Sequence, residues 1–449
     1  RINLATSLGS SLVGSMYILD EPSIGLHSRD NERLIKILKK LRDLGNTVLV
    51  VEHDEEIMHA ADCIIDMGPE AGTLGGRVVA QGTMKEILKS SSLTAQYLTG
   101  KLKIEVPAIR RKSQEQIIVT GARENNLQNI TVHFPLNSMT VVTGVSGSGK
   151  STLVKKILYP ALQRELGVFI EKPGQFNSLK GNYETIRYVE FIDQNPIGRS
   201  SRSNPVTYIK AYDDIRSLFA GLSLSKMRNY QAKHFSFNVD GGRCESCKGE
   251  GIVTIEMQFM ADVILQCEHC KGQRFKKEVR EVQFEGKSID AILELTVDDA
   301  ITFFEEHKQT KLVKKLKPLQ KVGLGYVSLG QSSATLSGGE AQRIKLASFI
   351  GKGDHRDKIL FIFDEPTTGL HFHDIKKLLT SFEALLEKGH SLVVVEHNID
   401  LIKCADHVID LGPDGGDKGG KLLGEGTPEE LSKIKNSFTG QFLARKLNG

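Results

Sequence analysis

Between Gly144 and Thr152 the chain reads Gly-Val-Ser-Gly-Ser-Gly-Lys-Ser-Thr, with the β-branched run Val141-Val142-Thr143 in front and a helix-forming run, Leu153 to Tyr159, behind. This fits G-x-x-x-x-G-K-[ST] in the strand–loop–helix context that binds phosphate. Gly144, Gly147 and Gly149, interleaved with Ser146 and Ser148, let successive backbone N–H groups curl around phosphate oxygens, and the helix N-terminus adds partial positive charge. Lys150 is placed to reach β- and γ-phosphates, Ser151 to ligate Mg²⁺, and Thr152 completes the loop.

Two further segments supply what such a loop lacks. Ile359 to Phe363 is an apolar strand ending in Asp364 and Glu365. A strand buried on both faces would deliver Asp364 to the Mg²⁺ shell and Glu365 to an attacking water, with a helix cap as the competing role for the aspartate. Ser391 to Val395 reads as another buried strand, and His397 beyond its end can sense a γ-phosphate. Leu336-Ser337-Gly338-Gly339-Glu340 opens a helix whose serine and glycine N–H groups form a second anion-binding terminus.

Of six cysteines, four stand as two Cys-x-x-Cys pairs, Cys244/Cys247 and Cys267/Cys270, with 19 residues between Cys247 and Cys267. In a chain without an export signal this spacing predicts metal rather than disulfide, a closed Cys₄ zinc site with structural and not hydrolytic work. Ile252 to Leu265 alternates in part, as a hairpin would. Cys63 and Cys404 lie in apolar stretches and are expected to be buried thiols.

The elements that must hold these groups are duplicated. Asp20-Glu21-Pro22-Ser23-Ile24-Gly25-Leu26-His27 matches Asp364 to His371, Val51-Glu52-His53 matches Val395-Glu396-His397, and Asp66-Met67-Gly68-Pro69 matches Asp410 to Pro413, each 344 positions apart. Asp20, Glu21 and His53 are therefore the first-copy counterparts of Asp364, Glu365 and His397. Arg1 to Ala5 echoes Arg343 to Ala347, so the chain is expected to be the C-terminal part of a tandem protein. The boundaries expected are a first-copy remnant at 1–97, a linker at 98–114, and a second core at 115–449 interrupted at 182–321 by a largely helical insertion with the cysteines. The fold class is α/β. Length allows about three domains. A hydrophobic fraction of 39% with 25% charged residues describes an ordinary globular protein, and no run reaches membrane-span length. A cytoplasmic location is expected.

Phosphate loop, acidic strand and Leu336-to-Arg343 stretch together resemble the ABC ATPases. That resemblance implies ATP as the nucleotide, clamped by the signature Ser337 to Glu340 of a facing domain. It also implies a glutamine contacting Mg²⁺ and water, matched by Gln194 in Phe191-Ile192-Asp193-Gln194-Asn195-Pro196. No aromatic residue stands just upstream of the loop to stack on adenine, so ATP rests on the resemblance. With the Cys₄ insertion, Gly121 to Leu127, Pro196-Ile197-Gly198-Arg199 and Phe235-Ser236-Phe237-Asn238, the whole chain is similar to the UvrA family. The resemblance implies recognition of damaged double-stranded DNA in nucleotide excision repair, loading of UvrB, a homodimer in the full-length protein, and no membrane partner. A drug-resistance paralogue, an ABC ATPase of another class, and a non-catalytic zinc DNA-binding module with relic ATP motifs are the competing readings; intact Lys150, Asp364, Glu365 and His397 argue against the last. Neither ATP site is expected to be complete here, so the fragment should bind nucleotide and zinc but hydrolyse poorly.

Residues 199–280 carry 14 Lys/Arg against nine Asp/Glu, a net +5 that exceeds the whole chain's +4 and falls to +3 if four thiolates bind zinc. Arg199, Arg202, Lys210, Arg216, Arg243, Lys276 and Lys277 are the candidate phosphate contacts, each with a solvated surface charge as its alternative. No base-reading recognition helix is visible, so duplex shape is the expected target.

Overall fold

The computed structural model describes residues 13–70, 72–169, 171–198, 200, 202–255, 257, 262–351 and 357–447. Contacts divide the chain into two compact units, Arg1–Asp193 with Asp354–Gly449, and Gln194–Gly353. The first copy and the second nucleotide core thus share a unit. The other unit takes the cysteines together with the helix Gly338–Ile350, where the sequence suggested edges at 182 and 321.

The first copy contributes β1 (Met16–Asp20), β2 (Thr47–Val51), β3 (Ile64–Gly68) and β4 (Arg77–Gly82). β1 and β2 pair in parallel, β3 and β4 antiparallel. The second core opens with β5 (Gln116–Ala122), β6 (Ile130–Pro135), β7 (Met139–Gly144), β8 (Ser178–Gly181) and β9 (Tyr188–Ile192). The second unit holds β10 (Ile252–Ile255), β11 (Val263–Gln266), β12 (Gln283–Phe284) and β13 (Lys287–Ser288), and the first unit ends with β14 (Ile359–Asp364), β15 (Ser391–Val395), β16 (His407–Gly412) and β17 (Lys421–Gly426).

β14 to β17 fall at the positions of β1 to β4, so the repeat is structural as well as sequential. In the second copy a six-stranded sheet runs β17-β16-β7-β15-β14-β9, antiparallel only between β16 and β17. Its central strands β7 and β15 are buried along their whole length because both faces are covered, as parallel sheets require. β6-β5-β8 form a separate antiparallel sheet. Ile117, Val132, Val142, Leu153, Ile157, Ile362, Val393 and Ile409 make one buried core.

The corresponding strands behave differently in the first copy. Leu34, Leu38 and Ile57 cover one face, against Leu19, Val48 and Val50, while Met16, Ile18, Leu49, Val51, Ile65 and Met67 stay exposed. Cys63, just ahead of β3, is exposed as well, which corrects the expectation of a buried thiol; Cys404 is buried. Between Leu98 and Gln116 there is neither helix nor strand.

In the second unit helices are the commoner regular element among the described residues. Tyr212–Ala220, Val297–Glu306, Thr310–Lys321 and Gly338–Ile350 are its longer helices. Val297–Glu306 buries Val297, Ala300, Ile301 and Phe304, a three-to-four spacing that puts one apolar stripe inward. Among the described residues no helix is long and apolar enough to cross a membrane.

Candidate nucleotide and metal sites

Val141-Val142-Thr143 runs down the middle of the sheet and ends at Gly144, whose φ of +128° suits glycine. A Cβ there would lie 1.9 Å from the Leu411 carbonyl oxygen, so the loop can leave β7 beside β16 only with glycine at its first position. The loop turns through Ser146, Gly147, Ser148 and Gly149 into a helix that opens with wide π turns, Thr152–Leu158, and continues as Tyr159–Glu165. Such turns recur at functional helix starts.

Lys150 is nearly buried, and its ammonium donates to the carbonyl oxygens of Gly144 (2.9 Å) and Val145 (3.0 Å). Burial pulls its pKa down to about 8, against the pull of Glu365, Asp410, Asp30 and Asp364. A cation held so closely by its own loop is suited to receive phosphate oxygens, which would replace those two carbonyls with charged acceptors. Asn126 ties the loop from outside, donating to the carbonyls of Gly147 (2.9 Å) and Gly416 (3.1 Å), while Asn125 donates to Thr152 Oγ1 (3.2 Å). In the sequence Asn125 and Asn126 contribute only to the resemblance; a polar pair flanked by strand signals, 19 and 18 residues before Gly144, is the available sign of this role.

Parallel pairing sets the acids beside the loop: β7 pairs with β15, and β15 with β14, so Asp364 leaves the sheet on the same edge as Gly144. Burial raises the Asp364 pKa, opposed by the nearby Lys155 ammonium. Glu365 follows at φ +46°, an unusual value for a residue with a side chain, and its carboxylate lies 3.7 Å from His397 Nε2. Glu396, itself buried, fixes both: Oε1 accepts from Thr367 N (2.9 Å), and Oε2 accepts from His397 N (2.6 Å) and Asn398 N (2.9 Å). The first copy repeats the arrangement. Glu21 has φ +42° and lies 4.0 Å from His53 Nε2, and Glu52 accepts from Ser23 N (2.8 Å) and His53 N (3.0 Å). Glu21, His53, Glu365 and His397 line one cleft of about 300 Å³. Asp20 ends β1 as Asp364 ends β14.

In the second unit, Ser337 caps Gly338–Ile350 through a reciprocal box: Ser337 N donates to Glu340 Oε2 (2.8 Å), and Glu340 N donates to Ser337 Oγ (3.2 Å). Tyr326 holds the other Glu340 oxygen at 2.6 Å. Gln194 belongs to this unit, where a Cβ on Gly338 would stand 3.2 Å from its Oε1. Gly339 is buried in the helix start.

Cys244, Cys247, Cys267 and Cys270 converge, all four buried, with every Sγ within 4.8 Å of the others. Cys244 and Cys267 are 4.0 Å apart, Cys247 and Cys270 3.6 Å. These are far longer than a disulfide and close to the edge, about 3.8 Å, of a tetrahedron with Zn–S bonds of about 2.3 Å. The donor set therefore fits zinc. Backbone N–H groups of Cys270 and His269 lower the Cys267 thiol to about 7, whereas burial lifts Cys270 to about 12. A divalent cation resolves that conflict by neutralising thiolates that burial opposes. Tyr212 stacks on Phe237 with centroids 4.9 Å apart and Arg274 lies over the same ring, which anchors the cysteine turns to the helix Tyr212–Ala220. The β10–β11 hairpin rises from Gly251 and Cys267.

The candidate DNA residues fare unevenly. Arg216 pairs with Asp213, Arg202 with Glu250 (3.3 Å), Arg243 with Asp240 (2.7 Å) and Lys276 with Glu245 (2.5 Å). Four of the seven thus already have carboxylate partners. Lys210 and Lys277 are exposed without an ion pair among the described residues, and Arg199 lies outside the described residues.

No protein-family model matches the chain. Over all 449 residues it is 54% identical to the UvrABC system protein A of Clostridium perfringens, and over 445 residues 54% identical to that of Staphylococcus epidermidis; each match covers 47% of the relative. The chain thus spans about half the length of the curated relatives it matches. The crystal structure of UvrA2 from Deinococcus radiodurans superposes on 100% of the chain and 54% of its own, with a TM-score of 0.93 at 42% identity.

Proposed function

Because the chain belongs to the UvrA family along its whole length, we propose that it is the nucleotide- and zinc-binding part of an ATP-dependent DNA-damage recognition subunit of excision repair. The observation that carries the reading is the buried Lys150 ammonium on its loop, with the Glu365–His397 pair at the ends of the neighbouring strands. Loop N–H groups and Lys150 hold the phosphates of ATP, and Ser151 and Asp364 hold Mg²⁺. Glu365 orients and deprotonates the attacking water, and His397 steadies it at the γ-phosphate. The second unit contributes a capped signature helix and a Cys₄ zinc module, with Lys210 and Lys277 as the open phosphate contacts on a distorted duplex. UvrB is the partner that such a subunit loads, in the cytoplasm, from a homodimer of the whole protein.

Glu365→Gln keeps the shape but removes the base. In the whole protein it should lower ATP turnover by at least about 100-fold, the usual worth of a positioned general base, while ATP stays bound. Single-turnover hydrolysis with nucleotide retention measures both. Turnover within a few-fold of the parent would remove Glu365 from the mechanism.

A further inference from the structure

Two histidines, His27 buried and His371 half-buried, do nothing in the scheme above, yet each reaches out of its own copy. His27 caps the helix Ser28–Asp43: its Nδ1 accepts from Arg29 N at 3.2 Å. With Nδ1 an acceptor, the proton of the neutral ring sits on Nε2, which therefore donates to Thr439 Oγ1, 3.0 Å away and 412 residues further along the chain. Thr439 in turn donates to Asp410 Oδ1 (3.2 Å), and Ser437 donates to Asp410 Oδ2 (2.5 Å). His27, Thr439 and Asp410 are all at most 1% exposed. Burial, with Lys150 and Arg29 nearby, drives His27 down to about 3, in keeping with a neutral ring.

Asp410 is not remote from the nucleotide loop. It stands on β16 in register with Thr143, the residue before Gly144, and it attracts Lys150.

The second copy returns the contact. His371 caps Phe372–Glu387 with Nδ1 accepting from His373 N (3.3 Å); its Nε2 faces Thr94 Oγ1 (3.2 Å), and Thr94 donates to Asp66 Oδ1 (2.9 Å). The intervening loops cross as well. Gly25 (φ +64°) leaves room for Glu365, whose Oε2 would lie 3.0 Å from a Cβ there, and Gly369 (φ +67°) does the same for Glu21. The Gly25 carbonyl also accepts from Ser146 Oγ, inside the phosphate loop, at 3.0 Å.

We propose that His27 and His371 are reciprocal positioning residues. Each passes a hydrogen bond of fixed direction through a threonine to the aspartate of the other copy, so that nucleotide affinity in one copy depends on how the other copy's loop is seated. This rests on the reading of Lys150 as the nucleotide site.

The test is MgATP affinity of this chain by calorimetry for the parent, His27→Ala, His27→Gln, Thr439→Val and the double variant His27→Ala/Thr439→Val, with Lys150→Ala as the reference for the site. His27→Ala and Thr439→Val should each weaken binding about 5- to 20-fold, and the double variant no further, since both break one relay. His27→Gln, whose amide N–H reaches the place of Nε2, should stay within about twofold of the parent. Should His27→Ala fail to fold, Thr439→Val, which keeps the shape and loses only the hydroxyl, decides alone. Parent-like affinity in the variants that fold overturns the proposal. So does a His27→Gln loss equal to that of His27→Ala, which would assign the residue to packing. If Lys150→Ala binds like the parent, the nucleotide reading itself fails and the relay goes with it.

Discussion

Cys267→Ser should leave the purified chain with almost no zinc and melt the Gln194–Gly353 unit at a temperature at least about 10 °C below the parent. Four buried sulfurs within 4.8 Å of one another have no covalent link to hold them, so on the proposed reading a bound cation keeps two otherwise separate turns together. Structural zinc sites of this kind are worth on the order of 10 kcal/mol in apparent binding free energy. Loss of even about 4 kcal/mol in a unit of roughly 160 residues shifts melting by about 10 °C. The aromatic cluster of Tyr212, Phe237 and Phe275 should loosen with it. Metal content by atomic emission, with a thermal melt of parent, chelator-stripped parent and variant, measures this. A stripped parent that melts with the untreated protein would show that packing alone holds the module.

Lys150→Ala should weaken MgATP binding by about 100-fold and leave the fold intact. The ammonium bonds two backbone carbonyls; on the proposed reading those contacts give way to phosphate oxygens, and charge-assisted bonds of this type are worth about 3 kcal/mol together. Alanine also relieves the burial of a charge, so the empty protein should not lose stability. Titration calorimetry at fixed salt and Mg²⁺ gives the affinity. A loss below about threefold would mean that the loop's N–H groups do all the binding, and that Lys150 serves only to close the turn.

The parts of this molecule that were legible in sequence share one property: their partners are close along the chain or dictated by a short motif. The loop at Gly144, the strand ending in Asp364 and Glu365, the capped start at Ser337 and the two cysteine pairs all belong to that kind. The repeat spacing of 344 carried over to β1–β4 against β14–β17 without a shift in register. What escaped reading is what depends on distant neighbours. Ile18 and Ile362 occupy equivalent strand positions, yet one is exposed and the other buried, because the covering of a face is not written in the strand. Cys63 was misjudged for the same reason. His27 and Thr439 meet across 412 residues, and nothing local to either announces the other. The basic candidates are a different case: Asp213 and Asp240 stand three residues before Arg216 and Arg243, a spacing that favours local pairing and was readable in advance.

The duplicated cleft gives the functional reading its physical content. Glu21 and Glu365 each sit at a left-handed backbone position, face a histidine of their own copy, and rest against a glycine of the other. On the proposed reading, hydrolysis or exchange at one copy would change contacts that the other copy uses, and nucleotide state would alter the grip on a duplex by that route. The most direct measurement is the affinity of the whole protein for a lesion-bearing duplex relative to an undamaged one, at one stated salt concentration, in nucleotide-free, ATP-loaded and ADP-loaded forms. The account predicts that the lesion preference differs among the three forms, and that Glu365→Gln holds it at the ATP-loaded value. An identical preference in all three would contradict it.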